Sequence, residues 1–152
     1  MPNVTAIIMI GASGAGKSTW IKKNHPDIEV CSADKWFETP SGNYEFDPSQ
    51  LSNAHASCMK LFVRAIMYRQ NVIVDNTNTT TAEISPYLAV AKAFGYKVRV
   101  VFLDTPPDVC EERNTKGVNR HTIERMDRQA RALLDSWPTF WPEWERVPYE
   151  YE

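Results

Sequence analysis

Residues 4–24 read VTAIIMIGASGAGKSTWIKKN. The first seven are an apolar, β-branched run bounded by glycine, the pattern of a buried strand. Gly11-Ala12-Ser13-Gly14-Ala15-Gly16-Lys17-Ser18 then fits G-x-x-x-x-G-K-[ST], and a helix from Lys17 to about Asn24 follows, stopped by His25-Pro26. Glycines let the backbone curl and turn its N–H groups toward phosphate oxygens, and the next helix adds its positive end. Lys17 is placed to neutralise β- and γ-phosphates and the Ser18 hydroxyl to ligate Mg²⁺. The alternative is a chance glycine-rich turn. It is disfavoured because spacing and context are both met, so residues 11–19, ending at Thr19, predict a site for ATP with magnesium.

Working outward, IEVCSA (28–33) reads as a second strand ending at Asp34, and ETPSGNYEF (38–46) as a loop. Asp47-Pro48-Ser49-Gln50 has an N-cap acid, a first-turn proline and a capping-box glutamine. Leu51, Ala54, Cys58, Phe62, Ala65 and Ile66 then keep helical spacing to about Gln70. VIVD (72–75) is a third strand, and a helix over 81–94 ends at Gly95, with Pro86 in its first turns or dividing it. YKVRVVFL (96–103) is a fourth strand. Short helical spacing at 107–114, a linker at 115–120 and a helix over 121–136 follow, with a short fifth strand around 145–149. Strands alternating with helices predict an α/β fold in three layers, a parallel sheet of four to five strands covered by helices on both faces.

The 152 residues suit a single domain, and no apolar run is long enough to span a bilayer. The N-terminus lacks the basic leader of a signal peptide, which makes a cytoplasmic location the expectation, the host cytoplasm if the chain is phage-encoded. Cys31, Cys58 and Cys110 are far apart and the histidines at 25, 55 and 121 are scattered, so neither a disulfide framework nor a zinc site is expected. Net charge is −2, which carries no global signature of nucleic-acid binding. The charge is uneven, however. Arg113, Lys116, Arg120, Arg125, Arg128 and Arg131 against Glu124 and Asp127 give a local excess of +4, and residues 132–152 reverse it to −4. A local basic patch serves a phosphate-rich ligand even in an acidic protein.

Three further groups are candidates for chemistry. Asp75 closes an apolar strand where a carboxylate would hold magnesium or its water shell, against the alternative of a turn aspartate. Asp34 ends the second strand on the edge where open α/β sheets bind ligands, and is placed to take the proton of an attacking hydroxyl. Arg113, Lys116 and Arg120 flank Gly117 in the natural lid, about residues 113–121, and could stabilise charge on a transferred phosphoryl; Arg128 and Arg131 read as a solvated, salt-bridged face. Asp104 before Thr105-Pro106-Pro107 reads as a turn and helix-start residue, and His55 as a packed histidine beside the apolar face of its helix. The Trp/Pro-rich tail, 137–152, reads as cover for the sheet or an edge.

Together GASGAGKSTW (11–20), SADKWF (32–37), GNYEFDPSQLSNAHASC (42–58), VIVDNTNTT (72–80), PYLAVAKAFGYKV (86–98) and ERNTKGVNRHTIERM (112–126) resemble the P-loop kinases of the polynucleotide 5′-hydroxyl kinase type, including the kinase-like domains grouped with NEDD4-binding protein 2 and related phage ATP-binding proteins. The resemblance covers most of residues 4–128 and not the tail. It implies a nucleoside-kinase-like P-loop NTPase fold, with Lys17 and Ser18 on ATP–Mg²⁺ and Asp34 as general base. It also implies Arg113 in a lid or base-stacking position, and Asp75 with Asn76-Thr77-Asn78 facing acceptor and phosphates. Two positions depart from that family. Phe37 stands where it has an arginine three residues after the catalytic acid, and the lid is shorter, leaving Lys116 or Arg120 to serve as its second cation. The expected activity is transfer of the γ-phosphoryl of ATP, leaving ADP, to the 5′-OH of single-stranded DNA or RNA. The alternatives are a small-molecule kinase acting on a nucleoside, sugar or metabolite hydroxyl, and a non-catalytic ATP-binding module.

Overall fold

The structure, a computed structural model, describes residues 3–150, so the last two residues of the tail lie outside the described residues. Five strands form one parallel sheet in the order β2-β3-β1-β4-β5. They are β1 (Thr5–Ile10), β2 (Glu29–Cys31), β3 (Val72–Val74), β4 (Lys97–Asp104) and β5 (Trp144–Pro148). The helices are α1 (Lys17–Asn24), α2 (Leu51–Met67), α3 (Thr81–Ala93), α4 (Pro107–Arg113) and α5 (Arg120–Asp135). The apolar run at residues 4–10 lies in the centre of the sheet, where both of its faces are covered.

The period-2 alternation of β1 sorts the core into two layers. Ala6, Ile8 and Ile10 face α2, α3 and the end of α5, packing with Phe62, Ile66, Ile84, Leu88 and Leu133. Ile7 and Met9 face the other side with Ile21 of α1, Cys110 of α4 and Ile123 of α5. α5 therefore contributes to both layers. Each fully buried Ile or Phe adds about 1.5–3 kcal/mol to the association of the layers, which outweighs the weak propensity of strands as short as β2 and β3.

The tail closes the sheet. β5 pairs with β4 (Phe102↔Arg146), and the Trp144 ring meets Phe102 edge-on at 6.2 Å. Trp137 and Trp141 pack on each other at 4.8 Å against the same core, and the Trp137 indole donates to the Pro142 carbonyl at 2.8 Å. The three cysteines are buried and unpaired. Among the described residues no helix is long and apolar enough to cross a membrane.

Some local expectations are corrected. Pro86 lies inside α3 without dividing it. Asp47 caps as expected, accepting from the Ser49 N–H at 3.0 Å, but the turn it caps is a 3₁₀ turn, Pro48–Gln50. Gln50 accepts from Asn53 instead of closing a capping box. His55 is exposed, as is Leu51 four residues before it, because the buried stripe of α2 begins at Ala54 and turns both side chains outward. Asp104 does not start a helix. Its carboxylate accepts from Arg131 and Arg146, both at 2.6 Å, and ties α5 and β5 to the end of β4.

Candidate active site

The loop from Gly11 to Gly16 leaves β1 at the carboxyl edge of the sheet and takes left-handed backbone at Gly14 (φ 83°) and Gly16 (φ 98°). Gly14 also permits a close approach: a Cβ there would lie 2.2 Å from the carbonyl oxygen of Cys110, so α4 rests directly on the loop. The loop is braced from behind. Thr77 accepts from the Gly11 N–H at 3.0 Å, Asn78 donates to the Met9 carbonyl at 2.8 Å, and Thr105 donates to the Ala15 carbonyl at 2.8 Å. Asn78, Thr79 and Thr105 are buried polar residues, and Asn78 has φ 48°. A polar run straight after an apolar strand is the only sequence signal for these braces, and it does not tell bracing from ligand contact.

Lys17 is 9% exposed and donates to the carbonyls of Gly11 at 2.9 Å and Ala12 at 2.8 Å. Burial pushes its pKa down, and the nearby Asp75 carboxylate acts in the opposite direction. Ser18 donates its hydroxyl to Asp75 at 2.7 Å, joining the first turn of α1 to the end of β3. Two hard oxygen donors so placed suit a cation that draws its remaining ligands from phosphate and water. Among the described residues there is no cluster of three or more His, Cys, Asp or Glu that could serve as an all-protein cage.

Asp34 lies on a 3₁₀ turn, Ala33–Phe37, capped by Ser32, whose hydroxyl accepts from the Asp34 N–H at 3.2 Å. The turn is held to the end of β3, where the Asn76 side chain accepts from the Ala33 N–H at 2.9 Å. The Asp34 carboxylate accepts from the Tyr44 hydroxyl at 3.2 Å and pairs with Lys116. Phe37 is 5% exposed and belongs to the core. Arg113 lies over the loop, with a guanidinium nitrogen 3.4 Å from where a Gly16 Cβ would be, and its charged end sits 5.3 Å from the Tyr149 ring centre.

Lys17, Ser18, Thr19, Asp34, Asp75, Arg113 and Lys116 line one cleft of about 850 Å³, together with Trp20, Val147 and Tyr149. Arg120 stays apart from them. It is held by Asp108 at 2.6 Å and Glu124 at 2.8 Å, with Glu111 at 3.8 Å, because carboxylates of α4 and α5 surround it. Val147 and Tyr149 are cleft residues that no sequence motif marks.

A phosphate-type loop on the central strand of an all-parallel sheet, with Asp75 just past β3 and Asp34 on the turn after β2, gives the chain a kinase-like P-loop fold. The chain belongs to the AAA_33 family, an AAA domain, whose model matches residues 7–136. It is 30% identical over 128 residues to NEDD4-binding protein 2 of Homo sapiens, covering 79% of this chain and 7% of that protein. It is 26% identical over 109 residues to an Acanthamoeba polyphaga mimivirus protein with the provisional name bifunctional polynucleotide phosphatase/kinase, covering 71% of this chain and 23% of that one. The chain thus spans less than a quarter of the length of either curated relative. A chain in the solved structure of the Pnkp1/Rnl/Hen1 RNA repair complex superposes with a TM-score of 0.74 at 17% identity, over 91% of this chain and 47% of that one. At that identity the likeness is one of fold.

Proposed function

We propose that residues 1–152 act as one kinase unit that moves the γ-phosphoryl of ATP to the 5′-hydroxyl of single-stranded DNA or RNA. The observation that carries this reading is that Lys17, the Ser18–Asp75 pair and Asp34 open onto a single cleft. A phosphate cradle and an acceptor-side carboxylate then meet within reach of one transferred group. The polynucleotide acceptor rests on the family resemblance and on the relative named for polynucleotide kinase activity.

In this reading residues 11–19 cradle the phosphates, and Lys17 exchanges its two loop carbonyls for β- and γ-phosphate oxygens. Ser18 and Asp75 would hold Mg²⁺, which would supply charge neutralisation for the transferred group. Asp34 takes the proton of the acceptor hydroxyl as the acceptor oxygen bonds to the γ-phosphorus and the bond to the β–γ bridging oxygen breaks, releasing ADP. Arg113 and Lys116, on the lid at 113–121, face the transferred charge and the base, with Arg113 set between the loop and Tyr149. Arg120 has no part in transfer and fastens α4 to α5.

A small-molecule kinase is the second reading. It is favoured by the buried Phe37 and by the exposed Glu38, Glu45 and Asp47 in the segment that follows it, which offer nothing to an acceptor phosphate. The test is incubation with γ-labelled ATP, Mg²⁺ and 5′-hydroxyl DNA and RNA oligomers, with 5′-phosphorylated controls and Asp34→Asn alongside. Label is expected only on 5′-hydroxyl ends, falling at least ~100-fold in the variant while ATP binding stays nearly intact. Unchanged transfer by Asp34→Asn removes Asp34 from its role. Oligomer binding that ignores salt favours the small acceptor, since contacts to a polynucleotide weaken steeply with salt.

A further inference from the structure

Asp34 is a half-exposed carboxylate on a short turn, a setting that by itself leaves the side chain free to rotate. Its two oxygens have partners of different kinds. Tyr44 donates to Oδ1 at 3.2 Å, and Lys116 pairs with Oδ2. The Tyr44 hydroxyl is held independently of Asp34. Its ring packs edge-on to the buried Phe37 at 6.0 Å, and its backbone bridges to Glu38. The turn is closed by Thr39 N–H to Asn43 carbonyl at 2.8 Å and Glu45 N–H to Phe37 carbonyl at 2.8 Å. Burial, with the Asp34 charge adding to it, pushes the phenol up to about 12, so it stays a donor at neutral pH.

Lys116 is the opposite kind of partner. It is a four-carbon stem on a surface segment, with its ammonium 5.5 Å from the centre of the Tyr44 ring and its side chain over a third exposed. A phosphate in the cleft competes for that ammonium, since Lys116 lines the cleft, whereas Tyr44 is not among its lining residues.

We infer that Tyr44 is a positioning residue for Asp34: its hydroxyl pins Oδ1, so that Oδ2 is the oxygen presented to the acceptor once Lys116 moves off it. This rests on the reading of Asp34 as the base. A Tyr44 that served only to pack the turn would be replaced without loss by phenylalanine, which keeps the ring and removes one oxygen.

The test compares wild type, Tyr44→Phe, Asp34→Asn and the double variant in the labelled-ATP assay with a 5′-hydroxyl oligomer, alongside melting curves and ATP binding. Tyr44→Phe should melt within a few degrees of wild type and bind ATP within about twofold. Its kcat should fall about tenfold or more, the scale of one hydrogen bond to a charged group. In the Asp34→Asn background the same change should alter kcat by less than about twofold, because the carboxylate it positions is gone. Full kcat in Tyr44→Phe beside an impaired Asp34→Asn overturns the role of Tyr44 alone, and so does an equal loss in both backgrounds. No transfer by the wild type overturns the polynucleotide reading, full transfer by Asp34→Asn removes Asp34 as the base, and either result overturns the role of Tyr44 with it.

Discussion

Gly14→Ala is expected to destabilise the nucleotide-free protein through a contact between the phosphate loop and α4. The new Cβ would sit 2.2 Å from the Cys110 carbonyl oxygen and 2.9 Å from its carbon, against the 3.4 Å at which ordinary contact begins. Relief requires α4 to retreat by roughly 1 Å, and Cys110 is a buried core residue that cannot follow without opening a gap. Overpacking of this kind costs about 1–3 kcal/mol. The left-handed backbone at φ 83° adds about 1–2 kcal/mol for a residue with a Cβ. At about 2–4 °C per kcal/mol for a domain of this size, melting should fall by roughly 5–15 °C. Gly42→Ala is the control. It has φ 88° but nothing within 4 Å of the added Cβ, so it carries the backbone cost alone, a fall of a few degrees. The assay is thermal unfolding of both variants by calorimetry. A Gly14→Ala melting point within about 2 °C of Gly42→Ala would refute the close packing of α4 on the loop.

Two other outcomes follow from the ion pairs. Burial disfavours the Asp104 charge, but the hydrogen bonds from Arg131 and Arg146 outweigh it and hold the carboxyl below its ordinary 3.8. The unfolded chain therefore takes up this proton at higher pH than the folded one. The stabilisation is fully present above about pH 4 and is lost as pH falls through the folded value. Asp104→Asn should cost about 1–2 kcal/mol at pH 7, discounted for its half-exposed partners, with the gap to wild type closing in acid; urea titrations across pH check this. Arg120→Ala should keep transfer within about threefold, its ion pairs being exposed and of small net worth, whereas Arg113→Ala should lower kcat/KM at least ~100-fold, the scale for a group stabilising developing charge. Steady-state kinetics of the pair separates the fastener from the lid cation.

Most of the fold is legible along the chain. The strand, glycine loop and helix at 4–24, the alternation that follows and the left-handed Gly95 just past the Phe94 cap of α3 are encoded within windows of a few residues, because strand and helix periods and glycine's backbone freedom are local properties. β1, α1 and β4 lie where spacing puts them, and Trp137, Trp141 and Trp144 of the tail pack on the core while Phe140 stays exposed. Which charge meets which was not legible. Asp34 lies on the turn after β2, Asp75 directly follows β3 and Asp104 ends β4. In the folded chain one meets Tyr44 and Lys116, one Ser18, and one Arg131 and Arg146. Lys116 reaches Asp34 while Arg120, four residues on, is held by Asp108 and Glu124. Strand order and helix packing decide these pairings, because a carboxylate's environment is set by groups within a few ångströms in space, drawn from segments as far apart in the chain as Asp34 and Lys116.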